Sequence, residues 1–144
     1  MSILILTVLL NLSSIESSNA QNKSELPLRS QISTDQTWNL DDIYTDLNDW
    51  EKDFTWCENS IKKYENFRGT LGISSKDLLA CLNFDDQVGI KLSRLHLYAS
   101  LARDLDLANA ENQGRYERIS SLSSKLSAAS SFINPEILQI SEEK

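Results

Sequence analysis

Residues 93–106, SRLHLYASLARDLD, contain the single histidine of the chain and lie within the pattern that decides its fold. Side chains on an α-helix advance by about 100° per residue, so apolar residues at helical spacing form an arc on one side. One arc surrounds Leu95 and comprises Val88, Leu92, Tyr98, Ala99, Ala102 and Leu105. A second arc comprises Ile90, Leu97 and Leu101. Two arcs predict a helix over residues 88–105 in the middle of a bundle, with neighbours on both sides.

His96 lies about 100° from Leu95, on the polar side of this helix with Ser93 and Ser100. This position predicts a boundary or surface histidine. The alternative is a metal or catalytic role. A catalytic zinc site usually takes three protein ligands, and the chain contains no HExxH motif to supply two of them. The sequence therefore indicates no catalytic, cofactor-binding or metal-ligating residue.

Asp104 and Asp106 suggest a different chemistry, in which one carboxyl group acts as general acid and the other as general base. Such a pair needs a cleft, separated pKa values and a defined distance, and the sequence indicates none of these. The simpler interpretation is that the helix ends here and that Asn109 caps the next one.

The composition favours helices and restricts the partners. The 144 residues suit one domain, and their 4 Gly and 2 Pro disfavour a turn-rich β architecture. The net charge of −7 argues against nucleic acid and anionic membranes, because both are bound through basic surfaces. We expect an all-α protein built as an antiparallel bundle of helical hairpins.

A helix before the central one is expected to begin after Asn48, with Glu51 completing a capping box, and to be stopped by Gly69. Its apolar residues are alternately four and three positions apart, so they are expected to form one buried stripe along the helix. They are Trp50, Phe54, Cys57, Ile61 and Tyr64.

Ser74, followed by Asp77, indicates a second helix start. The apolar side of that helix is expected to comprise Leu78, Leu79 and Leu82. The stretch of residues 83–86 is polar enough to break or bend this helix before the central one begins.

The last long helix is expected to place Ile119, Leu122, Leu126, Ala129 and Ile133 on one face. Asn134 then predicts the N-cap of a further helix, with Pro135 in its first position.

Residues 1–20 read as a signal peptide. The apolar run over residues 3–12 is shorter than the roughly 20 residues that span a bilayer, and Ser18 and Ala20 fit a cleavage site after Ala20. We expect an exported protein, periplasmic or secreted, with no membrane association after cleavage. No Lys or Arg precedes the run, so a mis-assigned start codon or an apolar tail on a cytoplasmic protein is the alternative.

Residues 21–45 read as an extended lead-in arm, because they show no sustained helical period and Pro27 biases Leu26 away from helix. Trp38 and Tyr44 are expected to anchor this arm on the helices, in preference to forming a ligand platform.

Cys57 and Cys81 are the only cysteines and do not form a CxxC pair. In an exported protein they could form a disulfide. The alternative, which we favour, is that each is a small buried hydrophobic residue.

Six segments carry a family resemblance: LPLRSQI, TWNLDDIY, WEKDF, FRGTLG, LSRLHLYASLARDLDLANAE and LSAASSFINPEIL. In this order and with these gaps they resemble the N-terminal helical part of oligoendopeptidase F, a zinc metallopeptidase of the thimet-oligopeptidase-like group. The resemblance covers residues 26–140. It implies an all-helical enzyme whose lobes enclose a deep channel for short peptides. It also implies a zinc held by HExxH and a later Glu, all beyond this chain, so no catalytic residue carries over.

The resemblance implies that residues 46–144 form a non-catalytic N-terminal domain, truncated at its C-terminal end, that contributes channel wall and substrate gating. Its expected partners are short peptides and the catalytic zinc domain of the same enzyme, and no cofactor is expected in this chain itself. The alternative is a self-sufficient secreted helical module that binds another protein without enzymatic activity.

Overall fold

The computed structural model describes Pro27 and residues 31–141, except for the Thr34 side chain. The α-helices are α1 (Leu47–Lys63), α2 (Ser75–Leu105), α3 (Ala110–Ser130) and α4 (Ile133–Leu138). Short 3-10 turns span Thr34–Gln36, Leu40–Asp42 and Tyr64–Asn66. No strand occurs in this part of the chain. The three long helices pack against one another, which confirms the expected all-α class.

α1 begins earlier than the sequence predicts. Asp46 has extended backbone angles, and its carboxylate accepts a hydrogen bond from the backbone N–H of Asn48 at 2.8 Å. The prediction that Asn48 caps this helix with Glu51 was therefore wrong. Asp46 satisfies the free N–H group instead, and the Glu51 carboxylate pairs with Arg118 of α3 at 2.7 Å.

The expected end of α1 at Gly69 was also wrong, because the helix ends at Lys63 and tightens into a 3-10 turn. Tyr64 in that turn is buried, and its hydroxyl donates to the Asp85 carboxylate of α2 at 2.6 Å. Gly69 lies farther along with a φ of 77°, in the left-handed region that glycine adopts without steric penalty. Its N–H donates to the Glu136 carboxylate of α4 at 2.7 Å, which ties this turn to the last helix.

The core lies where α1, α2 and α3 meet. The predicted stripe of α1 is confirmed, since Trp50, Phe54, Cys57 and Tyr64 are buried and Ile61 packs beside them. From α2 the core contains Cys81, Val88, Leu95, Tyr98, Ala99 and Ala102, and from α3 Ile119, Leu122 and Leu126. The Nε1–H group of Trp50 donates to the Leu95 carbonyl at 3.1 Å, so a buried polar atom links α1 to α2.

α2 is one continuous helix of 31 residues, so the break or bend expected at residues 83–86 was wrong. The Phe84 ring packs against the rings of Tyr64 and Phe67, with centroids 5.0 and 5.3 Å away. Tertiary contacts on this side hold the polar stretch in helical form, because burial of aromatic area outweighs weak local propensity.

Only one side of α2 is buried in the described part of the chain. Leu79 and Leu82 are exposed, contrary to the prediction, because Cys81 points into the core at that end and Leu78 packs at its edge. The second apolar arc is also exposed at Ile90 and Leu97. The expectation of neighbours on both sides of this helix is therefore not met among residues 31–141.

The predicted caps of α2 and α3 are confirmed. The Ser74 hydroxyl accepts from the Asp77 N–H at 3.1 Å, and the Asn109 side chain accepts from the Glu111 N–H at 2.9 Å. The predicted cap at Asn134 was wrong, because α4 already begins at Ile133. Phe132 before it has helical backbone angles, so the chain passes from α3 into α4 without an extended capping residue.

The lead-in arm is fixed by Tyr44, which is buried, whereas Trp38 is 65% exposed and the anchoring role expected of it was wrong. The signal peptide predicted over residues 1–20 lies outside the described residues, as do residues 21–26 and 28–30 of the arm. Among the described residues, no helix combines the length and apolar composition needed to cross a bilayer.

Candidate functional site

The surroundings of His96 are those of a helix side, as its position in the sequence predicts. Its ring is partly buried, and Nδ1 lies 3.2 Å from the Ser100 hydroxyl one turn later in α2. The ring also meets Tyr116 of α3 edge to face, with centroids 5.5 Å apart. No carboxylate contact to His96 occurs in this part of the chain that would orient it as a general base.

Asp104 and Asp106 do not converge on a shared site. The Asp104 carboxylate pairs with the Arg103 guanidinium at 2.8 Å, and that guanidinium lies 3.9 Å from the centre of the Tyr116 ring. The Asp106 carboxylate instead accepts from the backbone N–H of Ala108 at 3.1 Å in the turn after α2. Each aspartate therefore has a structural partner, in keeping with a helix end rather than an acid–base pair.

A polar cluster that sequence reasoning missed joins the arm to α1 and α2. The Tyr44 hydroxyl donates to the Asp53 carboxylate at 2.9 Å, and the Lys91 ammonium donates to the other oxygen of that carboxylate. The Arg94 guanidinium donates to the Ile43 carbonyl at 2.9 Å and lies over the Tyr44 ring. The partners are far apart in sequence, so no local pattern could have indicated them.

The cysteines are buried and unpaired. Burial raises the pKa of the Cys57 thiol to about 11 and also raises the pKa of Cys81. Both groups are therefore thiols at neutral pH, whereas a redox or nucleophilic cysteine is a thiolate.

Four exposed aliphatic side chains lie on the side of α2 opposite the core. We define the outer face of α2 as Leu79, Leu82, Ile90 and Leu97, whose exposed fractions are 58%, 37%, 70% and 51%. Two open depressions flank it. One, of about 410 Å³, is lined by Leu92, Ser93, His96, Leu97, Ser100 and Ser123. The other, of about 570 Å³, is lined by Asp85, Asp86, Gly89, Ile90 and Ser93.

No protein-family model matches the chain. Among curated proteins, it is 32% identical to Oligopeptidase PepF of Bacillus subtilis (strain 168) over 121 residues, which cover 84% of this chain and 18% of that protein. It is 30% identical to Group B oligopeptidase PepB of Streptococcus agalactiae over 114 residues, 79% of this chain and 19% of that protein. The crystal structure of oligoendopeptidase-F from Enterococcus faecium superimposes with a TM-score of 0.63 at 32% identity.

The chain is homologous to part of oligoendopeptidase F. The superposition covers 68% of this chain and 19% of the Enterococcus faecium chain. The 144 residues therefore span about a fifth of the oligoendopeptidase F relatives that they match.

The family resemblance implies a zinc metallopeptidase, which raises the question of whether residues of this chain fit zinc. Within the described residues, no group of three or more His, Cys, Asp and Glu side chains could hold a metal ion. The single histidine is engaged with Ser100 and Tyr116, and both cysteines are buried as thiols. The described residues therefore do not supply the three protein ligands that a catalytic zinc usually takes.

Proposed function

We propose that the chain forms the N-terminal, non-catalytic helical domain of an oligoendopeptidase F-like zinc metallopeptidase that hydrolyses short peptides. The observation that carries the proposal is the 32% identity with Oligopeptidase PepF along 84% of this chain and only 18% of that protein. In this proposal the helices contribute channel wall and substrate gating, and polypeptide outside these 144 residues holds the zinc.

The described residues support a scaffolding role over a chemical one. Two acidic side chains of α1 are engaged in structural contacts: Asp53 with Tyr44 and Lys91, and Glu51 with Arg118. These contacts join α1 to the arm, to α2 and to α3. A domain of this kind positions neighbouring elements, and its rigidity would define one wall of a peptide channel.

A second candidate function is a secreted helical module that binds another protein without catalysis. The exposed outer face of α2 favours it, because a strip of aliphatic side chains on a small domain marks an interaction surface. The two functions differ in whether the domain supports peptide hydrolysis when it is part of a complete peptidase.

The test uses a chimera in which this chain replaces the homologous fifth of Bacillus subtilis Oligopeptidase PepF. We expect hydrolysis of a quenched fluorescent peptide by the chimera in the presence of zinc, and none by the isolated chain at any zinc concentration. The control is a PepF that lacks the homologous fifth. Zinc-dependent turnover by the isolated chain, or a folded chimera with no turnover, would contradict the proposal, and the second result would favour the binding module.

A further inference from the structure

We propose that the outer face of α2 is the surface on which the remaining oligoendopeptidase F polypeptide packs, through an apolar helical surface with basic residues at its rim. This proposal rests on the proposed function and identifies which face of the domain meets the rest of the enzyme.

The three long helices differ in how their apolar residues are distributed. In α3, no large hydrophobic side chain is exposed, and in α1 only Leu47, its first residue, is. α2 carries four exposed aliphatic side chains, the residues of its outer face, in addition to its buried side. A helix that is apolar on all sides is typical of a position enclosed by neighbours. α2 therefore carries aliphatic side chains on two sides but has neighbours on one side only.

The outer face also has the shape of a helix-packing surface. From Leu79 to Leu97 it extends along about 27 Å of the helix axis, the length of several turns. Gly89 lies beside it, in a flanking depression, and a Cβ atom built on this glycine meets nothing within 4 Å. Glycine in a helix interior is unfavourable compared with alanine, and the open space beside it lets a second backbone approach closely. Ser93, one turn later, is exposed and is a second small residue on this side of α2.

Sequence coverage and charge both indicate that the remaining homologous polypeptide occupies the outer face of α2. The matched segment is 19% of the Enterococcus faecium chain, so most of the homologous polypeptide lies outside this fold and is available to cover the face. A second copy of this chain fits less well. Asp86 is exposed on the same side of α2 as Leu97, and the chain has a net charge of −7. Two such faces would bring carboxylates together, whereas basic residues at the rim of a partner would complement them.

The test measures the accessibility of a thiol introduced at position 97 by Leu97→Cys. The native thiols are buried, with raised pKa values, and give a low background of labelling. Leu107→Cys is the matched control, because Leu107 is 67% exposed and lies in the turn beyond α2, off the outer face. Each variant is labelled with a maleimide in the isolated chain and in the PepF chimera.

We expect the position-97 thiol to react at least about tenfold more slowly in the chimera than in the isolated chain, because labelling then needs local opening of the interface. The position-107 thiol should react at similar rates in both. Equal rates at position 97 in a chimera whose native thiols stay unreactive would overturn the proposal. So would protection of position 97 in the isolated chain that grows with protein concentration, which would identify a second copy as the occupant.

Peptide hydrolysis by the same chimera separates this proposal from the proposed function, since a folded chimera without turnover can still show a protected position 97.

If the native thiols become reactive, the chimera has not folded, and a co-purification experiment tests the proposal instead. The chain is then co-expressed with the PepF fragment that lacks the homologous fifth. Leu97→Glu should abolish co-purification and Leu107→Glu should preserve it, whereas equal recovery of both variants would overturn the proposal.

Discussion

At the scale of single residues, Asp53 shows how one side chain holds three parts of the molecule together. Its carboxylate accepts from Tyr44 in the arm and from Lys91 in α2 while it belongs to α1. Burial alone would raise the pKa of the Asp53 carboxyl. The hydrogen bonds from Lys91 and Tyr44 outweigh this effect, so the pKa lies below its ordinary value. The Asp53 side chain is only 18% exposed, so water screens these contacts less than at an open surface site.

Asp53→Asn is expected to destabilise the chain by about 1 kcal/mol at pH 7, because Lys91 loses its charged partner. A carboxyl group whose pKa is lowered by folding contributes stability that is complete above its unfolded pKa, about 4, and is lost as the pH falls through the folded value. The difference between wild type and variant should therefore shrink below about pH 4. Urea denaturation at pH 7 and at pH 3 measures both values.

The control for this prediction is Asp49→Asn. Asp49 also pairs with a lysine, Lys52, at 2.7 Å, but its side chain is 59% exposed. Exposed pairs contribute little to stability, so the loss at pH 7 should be smaller than for Asp53→Asn. A stability gap for the Asp53 variant that widens on acidification would contradict the account of Asp53 as a carboxylate stabilised in the folded state.

At the scale of elements, two glycines have opposite roles that the sequence does not distinguish. Gly89 lies in the interior of α2 with open space beside its Cα, whereas Gly69 has a φ of 77° in the turn before α2. Only the second position needs glycine for its backbone conformation. In the isolated chain, the first is a weak point of a helix.

Gly89→Ala is expected to stabilise the isolated chain by about 0.5–1 kcal/mol, because alanine has the higher helix propensity and no side chain opposes its methyl group. Gly69→Ala should destabilise it by about 1–2 kcal/mol, because an L-residue is strained in the left-handed region. Thermal denaturation followed by circular dichroism at 222 nm measures both. Changes of the same sign for both variants would contradict the assignment of these conformations.

At the scale of the whole molecule, residues 1–20 predict export. The apolar run at residues 3–12 and the small residues at Ser18 and Ala20 predict cleavage after Ala20, so exported material should begin at Gln21. Intact-mass measurement of the exported fraction, with the protein retained in the cytoplasm as a control, checks this outcome. Exported protein that keeps Met1 would contradict it and would favour the mis-assigned start codon or the apolar tail.

Local patterns predicted much of this architecture correctly. The side chains of Ser74 and Asn109 cap helices because each satisfies a free N–H group within its own next turn, a contact that needs no distant partner. The stripe of α1 was predictable for the same reason, since helical spacing alone places Trp50 and Cys57 on one side. Helical spacing also predicted that His96 lies at the boundary of a helix side, and its ring is partly buried there against Ser100 and Tyr116.

Other features, which the sequence did not determine, depend on contacts between distant segments. Residues 83–86 stay helical because Phe84 meets Tyr64 and Phe67 across the core. Periodicity identified two apolar arcs on α2, and it could not say which arc meets a neighbour, because the spacing of residues defines sides of a helix but not what lies beyond them. Tertiary structure decided that the arc around Leu95 faces α1 and α3 while Ile90 and Leu97 remain open, since burial depends on the packing of whole helices.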